Sequence, residues 1–296
     1  MDVEGVLSKK YTFSGHESFP CRFLWLKKGY DFVKSGESFR SNEAALKLGV
    51  GKNMVASIKY WLDVFGLIDE KNTETFFAKF LFDEKCGKDP YLEYLGSLWL
   101  LHAKLIMENK ASIYSIFFND FLLTRVEFTK DQLFNFLKTK TIENEQNIAD
   151  NTINKDINVL LKTYIPSGST SKTYEDDLMS LFLELELIKE MESFDKKGEK
   201  YYNIEKQDNR AIPKEIFLST ILLNKSYGKI ITFNELLHSF NSPGNIFLLT
   251  SQGLLDKIKE LQEEYDFIKY REDAGVRVLQ IDKDISYFDI LEGYYE

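Results

Sequence analysis

Cysteine is scarce in this chain: two in 296 residues, Cys21 and Cys86, 65 positions apart. Such spacing makes neither a disulfide framework nor a metal site. Proline is nearly as rare, with five, and glycine reaches only 16. With that little of either, collagenous, low-complexity and disordered chains are excluded. No apolar run approaches the roughly 20 residues that cross a bilayer. The first residues, Met1-Asp2-Val3-Glu4, carry acids where a signal peptide is basic. The expectation is a reduced, soluble, cytoplasmic protein with no membrane partner.

Core material is plentiful: hydrophobic residues make up 44% and aromatics 15%, including 24 Phe and 16 Tyr. The net charge of −9 speaks against a nucleic-acid partner, but its distribution speaks otherwise. Residues 1–60 hold ten Lys and Arg against six Asp and Glu, a balance of +4, and the remainder carries −13. A basic N-terminal sixth can dock on phosphate while the acidic body limits non-specific sticking. Ordinary scatter of surface charge would give the same count.

The clearest organisation lies between residues 11 and 82. A loop shaped by Gly15 and Pro20 leads into a helix with Phe23, Leu24, Leu26, Tyr30 and Val33 on its apolar side, ended by Gly36. Ser41 is placed to cap a helix through Leu48, and Gly49-Val50-Gly51 supplies a tight turn. A helix from Lys52 to Phe65 follows, with Val55, Ile58, Leu62 and Phe65 at helical spacing. Leu67-Ile68, the turn Glu70-Lys71-Asn72 and the strand-like run Thr75–Phe82 complete a winged helix-turn-helix order.

Two further units resemble the first. Helices fill 90–126, and a Thr129/Gln132 capping box opens the next helix, through Leu137. Helices at Asn151–Tyr164 and Tyr174–Leu187, separated by the loop Pro166–Thr173, precede a hairpin around Lys196-Lys197-Gly198. From Pro213 come helices at Lys214–Leu223, Phe233–Phe240 and Ser251–Tyr265, with a break at Ser242-Pro243-Gly244. A hairpin around Asp273-Ala274-Gly275 closes the unit. The predicted fold is mainly α with small β-hairpins, as tandem winged-helix modules joined by helices. The divisions fall at 1–126, 127–208 and 209–296. A mixed α+β protein with incidental hairpins would read similarly.

The helix Lys52–Phe65 is the candidate DNA contact. Its apolar stripe leaves Lys52, Asn53, Ala56, Lys59 and Tyr60 outward. Asn pairs two ways with an adenine edge, and Lys52 and Lys59 reach phosphates. Ser251–Glu264 carries Glu260, Glu263 and Glu264, and reads as structural or protein-facing. His16, Glu17 and Arg22 form the most suggestive polar cluster. They could move a proton and neutralise charge in a phosphodiester reaction, or they could pin the loop as a buried network. His102 and His238 sit on apolar helical stretches and read as core or half-buried.

Other motifs fail. Pro166–Thr173 mimics a phosphate-binding loop, but Pro166 and Ser171 occupy both required glycine positions. Gly49-Val50-Gly51 follows a helix, not a strand, so it is no dinucleotide fingerprint. No nucleophile elbow, zinc-protease helix or nuclease metal site is recognisable. Sequence gives no cofactor.

The run Phe13-Ser14-Gly15-His16-Glu17-Ser18-Phe19-Pro20-Cys21-Arg22, followed by Trp25-Leu26-Lys27-Lys28-Gly29, resembles a bacterial family known as domain of unknown function 4007. Leu48–Val55, Tyr60-Trp61-Leu62 and Gly66-Leu67-Ile68 fit the same pattern. Asp176-Asp177-Leu178-Met179-Ser180 and Glu184–Ile188 fit it more loosely, since the family's usual Pro and Gly are replaced by Phe182 and Glu186. The resemblance covers most of the chain. It implies a setting beside sulfur-transfer enzymes similar to phosphoadenosine phosphosulfate reductases. One branch is the B component of Ssp-type DNA phosphorothioation systems, which implies a DNA nickase, with a divalent metal if the nicking holds. The function expected is a DNA-binding component of such a modification and defence system, acting on double-stranded DNA with sulfur-transfer partners. The alternatives are a winged-helix transcriptional regulator and an interaction scaffold that never touches DNA.

Overall fold

Helix α1, Trp25–Lys34, buries Trp25, Leu26, Tyr30 and Val33 and ends as the sequence predicts. The Gly36 amide donates to Val33 O (2.9 Å) at φ +78°, a left-handed turn that glycine takes without strain. The computed structural model describes residues 10–166, 180–194, 198–208 and 210–296. Ser41 Oγ accepts from the Glu43 amide (3.2 Å), so it shapes the turn before α2, which spans only Ala44–Leu48. Gly49, at φ +64°, closes α2, and Gly51 begins α3, Lys52–Val64. Helices α1 and α3 cross at Gly29, where a Cβ would stand 2.6 Å from Leu62 Cδ1.

The run expected as a second wing strand is a helix, α4, Phe76–Phe82. Thr75 decides it: its Oγ1 accepts from the Ala78 amide (3.2 Å) and donates to Gly66 O (2.8 Å). Phe77, Ala78, Phe80, Leu81 and Phe82 are all buried, and a short run that is apolar but for Lys79 carries no clear period that separates strand from helix. The expected hairpin shrinks to a single Ile68–Glu74 bridge. Asp69 holds its turn, accepting from the amides of Lys71 and Thr73 (2.9 Å each).

Helices α5, Leu95–Glu108, and α6, Ser112–Asn119, are buried almost all round and form the centre of the molecule. The Thr129/Gln132 capping box is present and opens α7, Lys130–Glu143, which runs past the expected end at Leu137. Helix α8 spans Asp150–Tyr164. Strands β1 (Glu127–Phe128), β2 (Lys189–Phe194) and β3 (Lys200–Asn203) form an antiparallel sheet in the order β1-β3-β2. Of the helix expected at Tyr174–Leu187, residues 174–179 lie outside the described residues, as does 167–173 of the preceding loop. The remainder is no α-helix. Ser180 bridges to Arg22, and Leu183–Leu185 makes a single 3-10 turn ended by Glu186 at φ +46°. Leu181, Phe182, Leu185 and Leu187 all bury, which leaves no polar face for an amphipathic helix.

In the C-terminal third, α9 is Lys214–Leu223, and β4, Ile230–Thr232, leads into α10, Phe233–His238. Ser242-Pro243-Gly244, expected as a break, starts the short helix α11, Pro243–Ile246. Proline suits a first helical turn because its missing N–H has no partner there anyway. After α12, Ser251–Glu264, strands β5 (Ile268–Asp273) and β6 (Val276–Ile281) meet at Ala274-Gly275, both at positive φ. With β4 they form a second sheet, β4-β6-β5. A last helix, α13, Tyr287–Tyr295, returns to α5, where Tyr294 Oη accepts from the Gly96 amide (3.1 Å).

The architecture is mainly helical with small antiparallel sheets, and its buried apolar residues form one cluster from Cys21 to Leu291. His102 sits in that core as expected. Tyr164 Oη lies 2.9 Å from Nδ1 and Ile246 O lies 2.9 Å from Nε2. His238 is exposed instead, at the solvent-facing end of α10. Among the described residues no helix is long and apolar enough to cross a membrane.

Candidate nucleic-acid interface

Helix α3 turns Val55, Ser57, Ile58, Trp61, Leu62 and Val64 inward. Lys52, Asn53 and Ala56 are exposed, and Lys59 and Tyr60 are half-buried at the edges of that outer face. The side chains of Lys52, Asn53 and Lys59 make no hydrogen bond or ion pair within the described residues. By contrast, Lys27, Lys34 and Lys47 are tied to Asp31, Asp83 and Glu37 (2.6, 2.6 and 2.7 Å). The first turn of α3 has no side-chain cap and no acid. Its free amides therefore add positive potential beside Lys52. Ala56, between the lysines, leaves room for close approach.

Lys59 opens on a groove of about 500 Å³ between the 36–40 loop and the 70–73 turn, where Arg40 and Lys71 also lie. Lys28 reaches Leu48 O (3.5 Å) next to the Gly49–Gly51 turn. Sequence reading missed Arg40, Lys71 and Lys28, because only folding brings them beside α3.

Tyr60 is outward only in part. Its ring is the floor of the 13–19 loop: a Cβ on Gly15 would stand 2.6 Å from Tyr60 Cδ2, and Gly15 has φ +99°. Burial, with Tyr114 and Asp156 nearby, holds the Tyr60 phenol well above the ordinary range. The ring meets His16 edge-on, with centroids 5.9 Å apart.

The loop is fastened at many points. His16 is buried, with Nε2 3.0 Å from Asp156 Oδ1, and the Ser18 amide donates to Nδ1 (3.0 Å). That acceptor role leaves the ring proton on Nε2, facing Asp156. Asp156, also buried, accepts from the Ser14 amide at both oxygens (3.1 and 3.0 Å). Ser57 Oγ and Trp61 Nε1 donate to the carbonyls of His16 and Phe19 (3.1 and 3.2 Å). Thr12 pairs with Ser112, and Gln146 clamps Tyr11 from both sides. The chain in turn tolerates three non-glycine residues at positive φ: Ser14 (74°), Glu17 (48°) and Ser18 (66°). Left-handed residues cost free energy that the surroundings must offset, and they concentrate at functional loops.

Of the three residues singled out, then, His16 is locked beneath the surface and Glu17 is exposed. Arg22 lies over the Trp25 ring (5.3 Å to the centroid). Asp156 was missed because a lone carboxylate on the amphipathic helix α8 reads as solvent-facing. Among the described residues no three of His, Cys, Asp and Glu lie close enough to share a metal ion.

The motifs at 13–29 and 48–68 are thus the loop and the helix of a single surface, and residues 13–295 match the model of a family described as "Protein of unknown function (DUF4007)". The chain belongs to that family. Among solved structures it is similar to a "Magnesium ion-bound SspB crystal structure", at TM-score 0.83 and 26% identity, covering 99% of this chain and 90% of that one. A second SspB crystal structure matches at TM-score 0.81 and 25% identity, covering 98% and 90%. No curated protein matches this chain.

Proposed function

We propose that this protein is the DNA-binding component of a bacterial DNA phosphorothioate modification and defence system. It would hold double-stranded DNA for a sulfur-transfer partner. Family membership and the likeness to SspB over nearly the whole chain support the system. The observation that carries DNA binding is the outer face of α3, where Lys52, Asn53 and Lys59 have no partners among the described residues. Free cations beside an uncapped helix start suit phosphate, and Asn53 suits a base edge. Arg40 and Lys71 add cations along the groove, beside Glu70 and a Glu37 already held by Lys47, so a duplex laid on α3 would meet its next phosphates there. The helix pair α2–α3 acts in this reading as a helix-turn-helix whose wing is a tight turn.

We assign strand scission to the 13–22 loop beside that face. Glu17 is the exposed carboxylate of the loop, and Arg22 supplies positive charge nearby. His16 we read as the anchor that holds the loop on Asp156, a positioning residue. The magnesium of the similar crystal structure finds no ready-made cage of oxygen ligands among the described residues. The test is incubation with supercoiled plasmid, with and without Mg²⁺, scoring retardation and nicked circles. Retardation is expected in both conditions. A wild-type protein that never retards plasmid would refute DNA binding. Nicking that survives Glu17→Ala would move scission away from this loop.

A further inference from the structure

Arg210 is 7% exposed, yet no carboxylate among the described residues lies within ion-pair distance of it. Its Nη2 donates to the Glu205 carbonyl (2.7 Å), and its Nε is buried with no hydrogen-bond partner among the described residues. A guanidinium carries five N–H donors and cannot shed its charge, so burial without a counter-charge is costly. Desolvation pulls its pKa down to about 10, and its field also disfavours protonation of His102.

Arg210 lines a cavity of about 160 Å³ together with Trp99, Gln207 and Lys189, and the exposed Glu184 and Glu186 line it too. Trp99 Nε1 is already given to Ala211 O (3.1 Å), which fixes that wall. The Gln207 amide and the Lys189 ammonium make no other side-chain bonds within the described residues, so both are available to an occupant. The two glutamates are exposed and screened by water, whereas Arg210 is not. Organic ligands fill roughly 300–1,000 Å³, and this space holds about five waters at ~30 Å³ each. A nucleotide does not fit; a tetrahedral ion does. The larger cavity beside α5 makes the contrast, since its Lys104 is already paired with Glu108.

We propose that the Arg210 cavity is a binding site for a free tetrahedral oxyanion of the phosphate or sulfate type. The ion accepts from the guanidinium N–H groups not given to the Glu205 carbonyl, and from Gln207 and Lys189 toward the mouth. It supplies a counter-charge within ion-pair distance, where the fold offers only the more distant Glu205 carboxylate. A phosphate within a duplex backbone cannot reach a guanidinium this deep.

The experiment follows thermal unfolding of the full chain at constant ionic strength, as chloride is replaced by inorganic phosphate or by sulfate, with calorimetric titration of phosphate alongside. Both salts raise Tm by exclusion from any protein surface, so the readout is the difference between wild type and Arg210→Met. The wild type is expected to show an additional, saturating rise of a few degrees and a measurable heat. Arg210→Met loses both. In chloride it melts at or above wild type, because an unpaired buried charge has been removed. Lys189→Ala, at an exposed position, weakens binding several-fold and serves if Arg210→Met fails to fold. Identical salt responses in wild type and both variants overturn the proposal. So does heat with a 5′-phosphorylated oligonucleotide but none with inorganic phosphate.

Discussion

At the scale of single residues, the buried polar groups make the sharpest predictions. His16→Ala strands the Asp156 carboxylate in the core and is expected to cost about 3 kcal/mol in denaturant unfolding. Glu17→Ala, at an exposed position, stays within about 0.5 kcal/mol of wild type. If His16→Ala unfolds like wild type, the clasp is not what holds the loop. His102 gives a pH dependence. Burial lowers its pKa from 6.5 to about 3, so between those values the unfolded chain binds a proton that the native chain does not. Its contribution is therefore whole above pH 6.5 and drains away as pH falls toward 3. In His102→Gln the slope of Tm against pH over that window should flatten; an unchanged slope would exclude His102 as its source. Glu186 stands at φ +46°, and Glu186→Gly should gain up to about 1 kcal/mol by relieving that backbone.

At the scale of elements, legibility followed how local the signal was. The helices α1, α3 and α8, the Thr129 capping box and the Ala274-Gly275 hairpin are written in periodicity and in cap or turn residues a few positions apart. Where a run is mostly apolar, as at Phe76–Phe82 with only Lys79 polar, or at Leu181–Ile188 with Glu184 and Glu186, period says little, and a single cap or a tertiary contact settles the conformation. Thr75 is such a cap, and Thr75→Ala is expected to cost about 1 kcal/mol in unfolding experiments. The candidate site was half legible for the same reason. Lys52, Asn53 and Lys59 lie on one helix at readable spacing, whereas Arg40 and Lys71 beside it, and the buried Asp156 beneath the loop, join the site only through the fold. On α3, Asn53→Ala should relax preference at one base pair, by about 1–3 kcal/mol between matched and mismatched duplexes. Equal weakening on every duplex would make Asn53 a phosphate contact instead.

At the scale of the whole molecule, the loop at 11–22 draws α3, α6, α8 and the 180–181 segment together, and α13 closes back on α5. The exposed face of α3 therefore stands on a rigid, fully packed support. On the proposed function, this arrangement would let an acidic protein of net charge −9 present a cationic surface on α3 without spreading affinity for polyanions over the rest. The measurement that tests this most directly is the salt dependence of duplex DNA affinity, comparing wild type with the Lys52→Gln/Lys59→Gln double variant. Both substitutions sit on exposed or half-buried positions without partners among the described residues, so the fold should survive, as unfolding curves would verify. The account predicts weaker binding to any duplex sequence and a log–log salt slope shallower by roughly one unit for each phosphate that the variant no longer neutralises. Unchanged affinity and slope in the folded double variant would contradict it, and would mean that DNA does not lie on α3.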